Sequence, residues 1–224
     1  MSSTTVGFIH TTPATIGMVE KYMKAFLPHA ESLHIYNGNV KRANFLSPIG
    51  VTPKINLLRY AAFAEELQRS GCGVIVSCCS LMPRATAYAT SVVDVPFVQL
   101  DSVILDEAVD TFSRIGVITT TAHVVPYVTE GLKSRAAARG KEIELIFSSN
   151  ATALSLFNTG DYDVHDRIVL DDMRKLDEAG VDCILMAQIP FALMEDKIAA
   201  TALRAPALFA GEKAFKHLAR LLGA

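Results

Sequence analysis

No glycine-rich phosphate loop is present: neither GxGxxG nor GxxxxGK followed by Ser or Thr occurs in the 224 residues. The usual sequence support for a nucleotide cofactor is therefore missing, and the expectation is that no cofactor is used. Neither sign of charge dominates. The 21 basic residues stand against 23 acidic ones, a net charge of −2. Such a balance offers no basic field to attract nucleic acid and no like-charged tail. No apolar stretch is long enough to span a bilayer, and the opening run Val6-Gly7-Phe8-Ile9 is too short for a signal peptide. The expectation is a cytoplasmic protein without a membrane partner. Cysteine is sparse, at Cys72, Cys78, Cys79 and Cys183. Three of the four crowd into one apolar segment, which is not a disulfide framework and points to a reduced compartment. No spacing of His, Cys, Asp and Glu suits a metal, because adjacent Cys78 and Cys79 are poorly placed to ligate one ion together.

What the sequence does contain is alternation. Half the residues are apolar, and short apolar runs alternate with longer amphipathic ones. The runs read as strands at residues 6–10, 32–36, 73–77, 97–100, 115–119, 142–146, 183–187 and 207–209. Thr52-Pro53 reads as an N-cap followed by a first-turn proline. The helix after it runs to Ser70, stops at Gly71, and buries Ile55, Leu58, Ala62 and Leu67. A second long helix begins near Asp163, turns Ile168, Met173 and Leu176 inward, and stops at Gly180. This order predicts an α/β fold with parallel sheets flanked by helices.

The chain also repeats itself. Gly7 and Gly116, Leu67 and Leu176, Gly71 and Gly180, and the strands ending at Cys78 and Ala187 are each 109 positions apart. Val95-Pro96-Phe97-Val98 and Ala205-Pro206-Ala207-Leu208 match at 110. Landmarks holding one offset imply two duplicated α/β units. The expected first unit is residues 1–100 plus 208–224 and the second is 101–207, with an active-site cleft between them and Cys78 facing Ala187 across it.

In parallel α/β units, ligands bind beyond the carboxyl ends of strands. Here the loops at those ends are rich in small hydroxyl residues: His10-Thr11-Thr12, Cys78-Cys79-Ser80, Thr119-Thr120-Thr121 and Ala187-Gln188. Hydroxyls and amide N–H groups near helix starts suit a small carboxylate. Cys78 ends an apolar strand and precedes a helix start near Pro83. There the helix dipole is expected to lower its thiol pKa and make it a base or nucleophile. Cys72 and Cys183 read as inert core residues, and Cys79 as a neighbour of the reactive thiol. His10 ends the first strand. His123 follows the Thr119–Thr121 loop. His165 reads as a cap or ion-pair member, and His34 and His217 as ordinary strand and helix residues. Asn37-Gly38-Asn39 reads as a turn bordering the cleft.

These residues resemble the aspartate/glutamate racemase superfamily, which includes hydantoin racemases, maleate isomerases and arylmalonate decarboxylases. The first-half motif there is an apolar strand followed by Cys-Asn-Thr, and here Val-Ile-Val-Ser leads into Cys78-Cys79-Ser80. The second is apolar-Gly-Cys-Thr, where this chain has Leu185-Met186-Ala187-Gln188. Residues 95–101 with Glu107-Ala108 resemble the crossover after the first motif, and residues 158–166 resemble a branch that likewise carries Ala-Gln. The resemblance implies two pseudosymmetric α/β halves and a cofactor-independent isomerase or racemase acting on a small carboxylic or amino acid, as a homodimer or higher homo-oligomer. It implies Cys78 as the catalytic residue. His10, Thr11, Thr12, Asn37, Cys79, Ser80, Asp101, Thr119, Thr120, Thr121 and Gln188 would be substrate-binding. Because Ala187 has no titratable group, a symmetric two-thiol mechanism is in doubt. Four alternatives stand: Cys78 as the single proton donor of a decarboxylase; Cys78 as a nucleophile in an isomerase or lyase; a second base from His10, Asp101, His123 or His165; or carboxylate binding without catalysis.

Overall fold

A computed structural model describes residues 5–223; the expected first unit's ends, residues 1–4 and 224, lie outside it. The chain divides into two compact units, residues 1–102 with 211–224, and residues 103–210.

The first unit begins with β1 (Thr5–His10), α1 (Ala14–Phe26), β2 (Glu31–Tyr36), α2 (Gly38–Phe45) and α3 (Lys54–Arg69). It continues through β3 (Val74–Ser77), α4 (Pro83–Thr90) and β4 (Phe97–Gln99). The second unit carries α5 (Ser102–Thr111), β5 (Arg114–Thr119), α6 (Val125–Ala138), β6 (Glu144–Ser149), α7 (Ala151–Thr159) and α8 (Tyr162–Glu178). Then come β7 (Cys183–Met186), a 3-10 turn (Ile189–Met194), α9 (Glu195–Ala199) and β8 (Ala207–Leu208); α10 (Glu212–Leu222) returns to the first unit.

Each unit holds one four-stranded sheet, ordered β2-β1-β3-β4 and β6-β5-β7-β8, with every pair parallel. The central strands are buried on both faces, so Val6, Phe8 and Ile9 are fully enclosed and their sequence reads as a continuous apolar run. The order reverses direction between the first and third strands of each unit. In open parallel sheets, ligands bind beyond the strand carboxyl ends at such a reversal.

The duplication is visible in hydrogen bonds. Cys78 N–H donates to Ile9 O at 2.9 Å, and Ala187 N–H to Ile118 O at 3.0 Å. Gly73 N–H donates to Thr5 O at 2.9 Å, and Asp182 N–H to Arg114 O at 2.7 Å. The repeated glycines have a packing reason. A Cβ on Gly7 would lie 2.9 Å from Leu67 Cδ1 and 3.0 Å from Cys72 Sγ; on Gly116 it would lie 3.2 Å from Leu176 Cδ1 and from Val181. The helix before the third strand thus presses its last buried leucine onto the first strand, so a Cβ on Gly7 would force Leu67 to shift, and one on Gly116 would need its neighbours to give by a few tenths of an ångström. Gly71 (φ +87°) and Gly180 (φ +76°) end those two helices in the left-handed region. Gly7→Ala is expected to cost about 1–3 kcal/mol by overpacking, and Gly116→Ala less, as read by urea denaturation. Equal stability of Gly7→Ala and the parent would show that Leu67 can simply turn aside.

Several boundaries move. The strand expected at 142–146 runs over Glu144–Ser149, because Ser148 and Ser149 pair with Ile118 and Thr119 despite looking like loop. Gly73, Leu100, Ala187 and Phe209 fall just outside their strands. The N-cap of α3 is Pro53 in an extended conformation, not Thr52. The buried stripe of α3 is also corrected. Ile55 and Leu58 are about half exposed and Ala62 is exposed; the buried face is Asn56, Tyr60, Ala64 and Leu67. Asn56 disguised the period. Its amide donates to Val40 O (2.9 Å) and Asn44 Oδ1 (3.2 Å), which lets a polar residue face the core. In α8, Met173 and Leu176 are buried, and Ile168 packs partly buried on the core of the second unit.

Candidate active site

In the first unit the reversal lies between β1 and β3, and the turns after those two strands lie at their carboxyl ends. Backbone pairing places Cys78 beside β1, and Gln99 of β4 clamps the next residue. Its amide donates to Cys79 O at 2.9 Å, while its oxygen accepts from Thr86 Oγ1 at 2.9 Å. Cys78 and Cys79 are both buried. The Cys79 sulfur accepts from the Thr11 hydroxyl and the Leu81 N–H. Cys78 gains no such donor. Burial pushes its thiol well above the ordinary value, and the charges of Cys79 and buried Asp101 add to the rise. This corrects the expected lowering by a helix start. Although α4 does begin at Pro83, desolvation outweighs its dipole, so the resting group is a thiol. Burial also raises Cys79, against the Thr11 and Leu81 hydrogen bonds. The half-buried Lys41 ammonium lies close enough to favour a Cys79 thiolate, while its own pKa is lowered by burial. The Ser80 hydroxyl is buried with no hydrogen-bond partner among the described residues, a donor left for something that binds.

Thr11 is buried and Thr12 is half-buried. His10 is fully buried at the end of β1. Its pKa is pushed down to about 4, by burial first and then by His34, against Glu20. Asn37 caps α2, its side chain accepting from Asn39 N–H at 2.9 Å, and its own N–H donates to His10 O at 3.0 Å. Turn formation therefore occupies much of its polar capacity.

In the second unit the same turns are closed on themselves. Gln188 Oε1 accepts from Thr120 N–H (2.5 Å), Thr120 Oγ1 (2.9 Å) and Thr119 Oγ1 (3.2 Å). The single Thr119 hydroxyl hydrogen is shared between Gln188 Oε1 and Thr121 O (2.9 Å), while its oxygen accepts from Thr121 N–H, and Thr121 Oγ1 lies 3.4 Å from His123 Nδ1. The donors expected to hold a carboxylate are thus spent internally. Thr120 and Gln188 correspond at the 109 offset to Thr11 and Cys79, so one contact recurs in both units: the residue after the first strand bonds the second residue after the third. Cys79 belongs to that brace. Cys78 and Ala187 are the pair left over, the strand-end position where the two units differ.

The profile of the Asp/Glu/Hydantoin racemase family matches residues 6–214. The chain belongs to the Asp/Glu/hydantoin racemase family. No curated protein matches it. Among solved structures it is similar to glutamate racemase isoform RacE1 from Bacillus anthracis, at 14% identity and TM-score 0.72, over 100% of this chain and 83% of that one. The aspartate racemase of Picrophilus torridus aligns at 14% identity and TM-score 0.72, over 98% and 94% of the two chains. A glycine-to-cysteine mutant of arylmalonate decarboxylase aligns at 15% identity and TM-score 0.61, over 98% and 94%. At these identities the structural likenesses establish the fold, two duplicated α/β units.

Within this racemase-family chain, sequence reading missed Gln99, Lys41 and Asn150. Asn150 caps α7 and donates its N–H to Thr119 O at 3.0 Å, as Asn37 does to His10; the matching place after the second strand was its available signal. His165 Nδ1 lies 2.7 Å from Asp166 Oδ1, and Lys197 holds the same carboxylate at 2.6 Å. The cap of α8 is instead Asp161. His34 is not an ordinary strand residue, because it bonds His10. Among the described residues no helix is long and apolar enough to cross a membrane, and no His, Cys, Asp and Glu residues group to hold a metal.

Proposed function

We propose that this chain is a cofactor-independent enzyme of racemase or isomerase type that moves a proton at the carbon beside the carboxylate of a small acid, with Cys78 as the acid–base group. The observation that carries the reading is Cys78 just after β3, hydrogen-bonded to β1, two residues before a Ser80 hydroxyl that is buried without a hydrogen-bond partner among the described residues. Ser80 and the turn at Thr11-Thr12 would hold carboxylate oxygens. The same donors would stabilise the negative charge that develops as the α-carbon becomes planar. A buried thiol at rest is poised to give a proton, so the isomerase reading has it first release that proton to solvent. The thiolate then takes the α-proton, the C–H bond electrons stay behind as the enediolate, and the re-formed S–H returns a proton to that carbon.

That resting state, with Ala187 at the matching position, favours a second reading. In a decarboxylase, carbon dioxide leaves with its bond electrons remaining as the enediolate, and a single acid completes the reaction. Turnover in deuterated water separates the two. With D- and L-aspartate, D- and L-glutamate and substituted malonates as probes, an isomerase is expected to place deuterium at the α-carbon of recovered substrate. A decarboxylase is expected to leave substrate unlabelled and place one deuteron in the product. Full retention of either activity in Cys78→Ala would remove the thiol from both.

A further inference from the structure

A line of hydrogen bonds runs from the surface of the first unit to the turn beside Cys78, and each link has a forced direction. Thr15 Oγ1 donates its single hydrogen to Thr12 O at 2.9 Å. Toward His10 Nδ1, 2.7 Å away, Thr15 can therefore only accept, so Nδ1 carries the hydrogen. Burial keeps His10 neutral above about pH 4, leaving its Nε2 bare to accept from His34 Nδ1 at 2.9 Å. The other nitrogen of His34 lies 2.6 Å from Glu20 Oε1. With Nδ1–H committed to His10, that short contact requires a further proton between His34 and Glu20. Ser32 Oγ donates to the same carboxylate oxygen at 2.6 Å and steadies it.

The line ends on the Thr12 carbonyl, which has no proton to pass on. It cannot conduct protons to the thiol, so its effect is mechanical: it ties the turn after β1 to α1 and β2. We propose that His34 and Glu20 are positioning residues that hold the Thr11-Thr12 turn in its ligand-receiving geometry through His10 and Thr15. This rests on the reading that the turn binds a carboxylate. The groups facing His34 are Glu20 of α1, Ser32 of β2, His10 of β1 and the Phe8 ring stacked on it at 5.4 Å. From α10, Phe215 stacks on Phe8, and the charge of Lys216 is taken by Glu212 and the Phe26 ring.

Three variants test the array. Hydrogen exchange of the amides of residues 11–15 requires no ligand, and His34→Ala is expected to speed it about tenfold, the loss of about one charge-assisted hydrogen bond. Where acid probes turn over, the same variant is expected to raise KM about tenfold and leave kcat nearly unchanged. Glu20→Gln is expected to keep the turn protected, since its amide can donate to the His34 nitrogen that the carboxylate faces in the parent. Unchanged exchange in His34→Ala, or Glu20→Gln loosening the turn as much as His34→Ala does, would overturn the proposal. Cys78→Ala keeps the two readings apart, as it is expected to remove proton exchange at carbon without altering turn protection. If His34→Ala loosens the turn while the parent acts on no acid probe, the array stands as a brace and the carboxylate reading falls.

Discussion

Replacing Cys78 with alanine is expected to lower turnover by about 10²–10⁴-fold, the usual worth of a positioned acid or base, while the protein remains folded. The side chain is buried but small, and the Cys78 N–H that bonds Ile9 O is backbone and survives the change. Cys78→Ser should be nearly as damaging, because a hydroxyl in the same dry position is a far weaker acid than a thiol. Cys79→Ala is expected to behave differently. It removes the acceptor for the Thr11 hydroxyl and the Leu81 N–H, so stability should fall, and activity should fall by less than about tenfold, the worth of a brace. The second unit supports that division, since Gln188 fills the place of Cys79 and accepts from Thr120 in the same way. Deuterium incorporation at the α-carbon, measured for all three variants, decides it. An active Cys78→Ala beside an inactive Cys79→Ala would exchange the two roles.

The first unit is expected to lose about 3 kcal/mol of stability between pH 7 and pH 4 through His10 alone. Its pKa in the folded protein is lowered from 6.5 to about 4, chiefly by burial, and each unit of pKa corresponds to about 1.4 kcal/mol. The sign follows from linkage. Above pH 6.5 the imidazole is neutral in both the folded and unfolded chains and adds no pH dependence. As pH falls from 6.5, the unfolded chain takes up a proton that the folded one refuses, so stability drops until the folded ring titrates near 4. Asp177 and Asp182, held below the usual carboxylate range by backbone N–H groups of Ala205 and Arg114 respectively, act in a lower window, as pH falls through and below about 4. Urea denaturation at pH 7 and pH 4.5, followed by circular dichroism, should show most of the histidine loss before those carboxylates contribute. His10→Gln should flatten the pH dependence in that interval. A parent protein equally stable at both pH values would mean that His10 takes its proton without disturbing its bonds to Thr15 and His34.

Much of the fold was legible in the residues because its causes are local or repeated. Apolar runs of strand length mark the central strands, which are buried on both faces. Gly71 and Gly180 end helices because their φ angles are positive. Gly7 with Leu67, and Gly116 with Leu176, keep one offset because each pair meets where a helix presses on a strand. Duplication was readable from such contacts because both copies must satisfy the same packing. The two duplicated sheets and the turns that flank Cys78 follow from this pattern, while the strand order β2-β1-β3-β4 is set by pairings that exist only in the folded chain.

The remaining features depend on groups far apart in the chain. Asn56 broke the apolar period of α3, since its partners Val40 and Asn44 lie on another helix. The thiol pKa of Cys78 was expected to fall and instead rises, because burial depends on everything packed around the group and not on its neighbours in sequence. The hydroxyls of Thr119 and Thr120 read as open donors until folding brought the Gln188 oxygen to them. His34 read as an ordinary strand residue. Only the parallel pairing of β1 with β2, and the packing of α1 beside them, places its two nitrogens between His10 and Glu20. Sequence periodicity set the scaffold and the position of Cys78. Which donors stay open, which are spent, and which protons are locked beside that thiol were decided by distances that exist only in the folded chain.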